Sequence, residues 1–147
     1  MLPSIFKKKI RKHIEKNGLT NSVGFVPTFN IDANKTTMYP FTNVDIISCE
    51  PVENVFNYSI VVTSLGKRQN DGKLTYDTKT EFENMDDNIN DNFVIINKFL
   101  DFLKMSSDMS IVQQSEITFL RKNYTALLDG CRIELTIQVD NELDCLV

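Results

Sequence analysis

CRIELTIQV, residues 131 to 139, decides the reading of this chain: Cys131, Ile133, Leu135, Ile137 and Val139 alternate with Arg132, Glu134, Thr136 and Gln138. Successive side chains of an extended backbone point to opposite sides, so one face of the segment is wholly apolar and the other wholly polar, the pattern of a half-buried strand. Its leucine and β-branched side chains suit a pleated surface, and each contributes roughly 1.5–3 kcal/mol when buried. The rest of the chain must supply the layer that covers this face.

Working back from that strand, Asp129-Gly130 reads as a tight turn and Ile117 to Leu128 as an extended run before it. The two runs predict a C-terminal hairpin. Ser106 to Ser110 breaks a helix predicted over 85–104, where Met85, Ile89, Phe93, Ile96, Leu100 and Leu103 recur at spacings of four and three, widened by Val94, Ile95, Phe99 and Phe102. Asp86, Asp87 and Asp91 fall in its expected first turns, where the helix dipole favours acids. A helix of about 20 residues spans on the order of 30 Å, enough to lie across a small sheet. Its apolar arc is wider than one sheet face needs, which leaves part of it for a partner.

The segment LGKRQNDGKLTYDTKT, Leu65 to Thr80, is polar and contains Asn-Asp-Gly, a turn signal, so 65–80 is predicted as a flexible loop or small hairpin. Lys67, Arg68 and Lys73 give it a positive tip, suited either to solvent or to contact with a neighbour. Before it, Val55 to Leu65 places Phe56, Tyr58, Ile60 and Val62 on one face of a strand, and Phe41 to Cys49 is a second strand ending at Glu50-Pro51. Their short link makes them antiparallel neighbours. Leu19 to Pro40 is mixed, with one short strand near Val23 to Val26. At the start, Leu2, Phe6, Ile10 and Ile14 repeat every four residues with Ile5 beside them, and Asn17-Gly18 supplies a stop, so 1–17 is an amphipathic helix. Such a short helix forms mainly by docking its apolar stripe. The expected fold is α+β: a small, largely antiparallel sheet covered by one long central helix, with the N-terminal amphipathic helix beside it, in a single domain over 1–147.

Composition narrows the function. A chain of 147 residues with 41% hydrophobic and 24% charged residues suits one globular domain, and its apolar runs fall far short of a membrane span. Lysines arrive by position 7, so the N-terminus lacks a secretory pattern and the expectation is an intracellular protein. Cys49, Cys131 and Cys145 are an odd number without a CxxC pair, which predicts reduced thiols, with Cys131 acting as a small buried hydrophobe. His13 is the one histidine, placed at the stripe edge among cations, and a lone histidine makes no metal site. Asp86, Asn88 and Asn90 imitate the first, third and fifth positions of a calcium loop, but Asp91 replaces its glycine and Asn97 its bidentate glutamate. No phosphate-cradling or nucleophile motif is present, and five glycines leave little material for one. The expectation is a non-enzyme without cofactor or metal. Charge is uneven: Lys7, Lys8, Lys9, Arg11, Lys12 and Lys16 face a single acid, Glu15, in residues 1–16, while the net charge is −4. The chain is an acidic body with a basic head.

The order helix, two strands, helix, two strands resembles the tail terminator and head-tail connector ring proteins of tailed bacteriophages. YDTKTEFENMDDNINDNFVIINKFLDFL looks like their acidic segment leading into the central helix, and LLDGCRIELTIQV is similar to their closing strand, with Cys131 where an aromatic is usual. The resemblance implies a structural virion protein assembled in the host cytoplasm, a homo-oligomeric ring of sixfold or twelvefold symmetry. It implies portal, neck or other tail proteins as partners, and DNA passing through the lumen without sequence-specific binding. The basic helix (Lys7, Lys8, Lys9, Arg11, Lys12, Lys16) and the 65–80 loop (Lys67, Arg68, Lys73) are the candidate interfaces, since a repeated head-to-tail contact closes into a ring. Two other classes stay open: a nucleic-acid-binding module using the basic helix, whose affinity would fall steeply with salt, and an intracellular regulator or inhibitor that binds one protein through helix 85–104.

Overall fold

A computed structural model describes residues 1–16, 18, 20–28, 31, 38–67, 78–123 and 128–140, with the backbone alone described at 78–84, 122 and 123. Among the described residues the order is α1 (Pro3–Lys16), β1 (Ser22–Gly24), β2 (Phe41–Val52), β3 (Val55–Lys67), α2 (Thr78–Met105), β4 (Met109–Gln114), β5 (Thr118–Asn123) and β6 (Leu128–Asp140). The strands form one sheet in the order β1-β2-β3-β6-β4, with β5 also paired to β6. β1 runs parallel to β2 and every other pairing is antiparallel, so the sheet is mixed and the class α+β.

The alternating strand lies at the centre. β6 pairs with β3 over its whole length, and the register sets Tyr58 opposite Ile137, Ile60 opposite Leu135 and Val62 opposite Ile133. Those side chains form one buried face with Cys131 and Val139. α1 buries Phe6, Ile10 and Ile14 against it, with the Phe6 ring stacked 4.2 Å from Tyr58 and the Tyr58 hydroxyl donating to the Met1 carbonyl at 2.6 Å. α2 packs on β3 and β6 through Ile89, Ile96, Phe99, Leu100 and Leu103. Leu2 and Ile5, expected in the stripe of α1, are exposed, and Met1 is buried instead. Gly18, at φ 66°, makes the left-handed stop after α1.

Several boundaries differ from the sequence reading, each for a local reason. Asp129-Gly130 is not a turn but lies inside β6, with Gly130 paired to Leu65 on one side and Leu120 on the other. A glycine is required there because a β-carbon would overlap the Ser64 carbonyl. The extended run 117–128 therefore splits into β5 and the start of β6. β4, which was not expected, begins within the helix-breaking segment. β2 continues through Glu50-Pro51 to Val52, and the turn falls at Glu53-Asn54, where Glu53 takes φ 38°. α2 begins at Thr78, ahead of residue 85, and β3 runs to Lys67, so the expected 65–80 loop is strand and helix at its two ends. Its remainder lies outside the described residues, as do Arg68, Lys73 and the C-terminal segment with Cys145.

Among the described residues the opposite face of the sheet is covered only at one end. There Phe41, Leu65, Leu120 and Leu128 make a second, smaller cluster with Ile31, flanked by Val26 and Tyr39. The segment after β1 is held over it by side chains. Asn43 accepts from the Val26 amide at 3.1 Å and donates to the Val26 carbonyl at 2.9 Å, and Asp45 accepts from the Thr28 amide at 2.9 Å. At the other end β4 and the part of β2 beyond its pairing with β1 carry bulges, at Val112 and Ile47, whose side chains are exposed.

Candidate interaction surface

The buried stripe of α1 fixes where its bases point. Lys7 and Arg11, one turn apart, lean over the Phe25 ring on the β1 side, each 5.0 Å from its centroid. Exposed contacts of this kind contribute about 0.5–1 kcal/mol. Lys9 turns the other way and pairs with the Asp108 carboxylate beyond the end of α2. That contact and the 2.7 Å bond from Ser106 hold the Asp108 carboxyl below its ordinary value. Lys8, Lys12 and Lys16 form an exposed row, spaced by about 6 Å per four residues, and none makes an ion pair among the described residues.

His13 fills the seam between the helices. Its ring stacks on Phe102 at 3.1 Å, and its Nε2 is closed off from solvent without a hydrogen-bond partner. Burial, helped by the Lys16 charge, pushes the imidazole down to about 4, so it is neutral near pH 7. A stacked neutral ring serves packing; among the described residues no acid hydrogen-bonds to it, and Asp108 of the same seam is taken by Lys9. A cleft of about 270 Å³ runs along the seam, lined by Lys9, Lys12, His13, Lys16, Phe102, Ser106, Asp108 and Met109.

α2 presents the opposite sign. Asp86, Asp87, Asp91 and Asp101 are exposed on the side turned away from the sheet, with Val94 among them and Lys98 the one base between Asp87 and Asp101. Because α2 starts at Thr78, these acids stand well beyond its first turn, where the dipole no longer favours them. The explanation of Asp86, Asp87 and Asp91 as first-turn residues is thereby overturned. Toward β5, exposed Phe93 meets exposed Phe119 edge to face at 6.2 Å.

The uncovered part of the sheet's other face holds a second cleft of about 270 Å³, with Ile47, Ser59, Val61, Gln113, Glu134 and Thr136 among its lining. Its surface is mixed, with hydroxyls, amides and the Glu134 carboxylate beside aliphatic side chains. Reactive groups are placed elsewhere and are unactivated: burial pushes the Cys131 thiol up to about 11, and burial with the neighbouring Cys49 pushes Tyr58 up to about 12. Among the described residues no group of three His, Cys, Asp or Glu side chains is placed to hold a metal ion, and no helix is long and apolar enough to cross a membrane.

Of the predicted interface residues, the structure keeps the six bases of α1 together on one helix but sends them in three directions. Lys67 ends β3, where its carbonyl accepts from Asn88 of α2 at 3.2 Å; it is joined to α2, not to α1. Arg68 and Lys73 lie outside the described residues. The acidic face of α2 and the Phe93–Phe119 pair were missed as surface features. Their signal was present, since Asp87, Asp91, Val94 and Asp101 share one helical face. No protein-family model and no curated protein matches the chain.

Proposed function

We propose that the chain is a structural subunit of a tailed-phage virion, forming a ring in the head-tail connector or tail. The observation that carries the reading is a pair of unlike patches on opposite edges of one sheet. At the β1 edge stand Lys7 and Arg11 over Phe25, and at the β5 edge the exposed Phe93 and Phe119. Two different patches on opposite flanks are what a head-to-tail contact requires, and cations against aromatic faces are an attractive match. The bulges at Ile47 and Val112, with Pro51 on β2, oppose direct strand pairing at the edges, so neighbours would meet through side chains. A long helix and an amphipathic helix on one side of a small sheet support the phage resemblance, although β1 and β4 add a strand to each half of the order helix, two strands, helix, two strands on which it rests. The part of the sheet left open among the described residues, mixed in polarity and carrying Glu134 but no base in its lining, suits the wall of a channel through which DNA slides without being gripped.

Sixfold or twelvefold symmetry and partners among portal, neck and tail proteins belong to this proposal. An anionic ligand for α1 is the competing reading, favoured by the row Lys8, Lys12 and Lys16; the acidic outer face of α2 on the same side of the sheet opposes it. Electron microscopy and mass spectrometry of particles test the ring. The protein is expected in purified virions, and particles made without it should show heads detached from tails. Intact, infectious particles without the protein would leave a protein-binding regulator as the account to pursue.

A further inference from the structure

We infer that the helix layer of this protein docks on the helix layer of a second copy, α1 of each against α2 of the other. The pairing goes beyond the ring, which needs contacts between opposite flanks, because it uses the surface above the helices. Both helices bury their apolar stripes against one side of the sheet, so their outer faces look the same way. Those faces are opposite in charge and alike in design. On α1, Ile5 is 39% exposed on the same face as Lys8 and Lys12, which lie three and seven residues on. On α2, Val94 is 45% exposed on the same face as Asp87, Asp91 and Asp101, at offsets of seven and three.

Inside one subunit Lys9 is satisfied by Asp108, but Lys8, Lys12, Asp87, Asp91 and Asp101 make no ion pair among the described residues; Glu15 on the one face and Lys98 on the other each offset a single charge and leave the basic and acidic excess in place. A basic and an acidic helix lying side by side on one surface are self-complementary. Turning a second copy over and laying it on the first sets each basic face on an acidic one, and a two-fold axis makes the second contact whenever the first forms. An exposed aliphatic side chain on each face gives the contact an apolar centre with a charged rim, and the rim sets orientation and rejects like-on-like stacking. Such a dimer stands alone or joins two rings back to back.

Sedimentation velocity of the full chain at high micromolar concentration tests this. A dimer is expected at low salt, dissociating as salt is raised. Lys8→Glu with Lys12→Glu should weaken it at least about tenfold, as should Asp87→Lys with Asp91→Lys, and the four changes combined in one chain should restore it. These positions are exposed, so the variants should keep the wild-type melting transition. In a mixture of isotopically heavy and light chains, carbodiimide should link Lys8 or Lys12 of one mass to Asp87, Asp91 or Asp101 of the other, with the Lys9–Asp108 link within a chain as the internal reference. A monomer at every salt concentration overturns the pairing. So does a dimer indifferent to the reversals, or a ring whose subunits yield no α1–α2 links between chains. A dimer with these links in a protein absent from virions would keep the pairing and remove the ring.

Discussion

The two faces of the sheet are built on different principles. The helix face is one continuous apolar layer in which Ile60, Val62, Ile133, Leu135 and Ile137 meet Phe6, Ile10, Ile96 and Leu103. The other face has a small cluster at one end, covered by a segment that side-chain amides and a carboxylate hold in place, and, among the described residues, an open end of mixed polarity. Burial on the first face is collective, so no single hydrogen bond decides it. On the second it depends on a few named groups, and losing one should release a segment while the domain stays folded.

The largest expected difference comes from neighbouring positions on β6. Leu135→Asp buries an unpaired carboxylate in the helix-face core and should abolish cooperative folding, whereas Thr136→Asp, pointing to the open face, should leave a soluble chain with a normal melting transition. A folded Leu135→Asp variant would mean that the faces are reversed. Next in size is Gly130→Ala, where a β-carbon on β6 would meet the backbone of β3. The new methyl would collide with the Ser64 carbonyl, and denaturant unfolding should show a loss of about 3 kcal/mol. An unchanged midpoint would show that the strands can separate there at no cost.

Most of the helix face was legible in the sequence because alternation in β3 and β6 and the four-residue repeat in α1 report burial directly. The other face was not. Leu65 ends a strand whose alternation was read for one face only, and Phe41, Leu120 and Leu128 belong to runs for which no face was read; a second buried face shows only as a break in alternation, as in Ile60 to Leu65. Gly130 was misread because close backbone approach and a tight turn ask for the same residue. β4 was hidden by its length and by Val112, which a bulge turns outward. The bases of the candidate surface could be counted, but their three directions follow from which residues α1 buries, and Leu2 and Ile5 were assigned to the wrong side. The acids of α2 were seen and wrongly assigned, because the helix start was placed at residue 85 when it lies at Thr78.

A smaller effect isolates the second face. Asn43→Ala removes both the acceptor for the Val26 amide and the donor to its carbonyl, at a cost of about 1–2 kcal/mol. Hydrogen exchange at the Val26 and Thr28 amides should accelerate to local-opening rates while amides of β6 keep their protection. Equal acceleration at both places would show that the two faces unfold as one unit.

The smallest effect isolates the helix face and is read in pH. His13 is packed by Phe99 and Phe102 of α2, has Lys9, Lys12 and Lys16 around it on its own helix, and shares its cleft with Ser106 and Asp108. Folded, its imidazole stays neutral down to about pH 4; unfolded, it takes up a proton below about 6.5. The unfolded chain therefore binds more protons between these values, and stability must fall as pH falls through that window. Allowing for solvent at the partly exposed ring, the loss from pH 6.5 to 5 should be about 1 kcal/mol. His13→Phe keeps a ring on Phe102 and should flatten the dependence in that range. Asp108, held low by Lys9, also favours the folded state until pH falls through its folded value, so Asp108→Asn should alter the more acidic limb and leave the His13 window intact. If wild type and His13→Phe lose stability in parallel between pH 6.5 and 5, the imidazole is not the group that titrates, and the seam between α1 and α2 is wetter than its stacked rings imply.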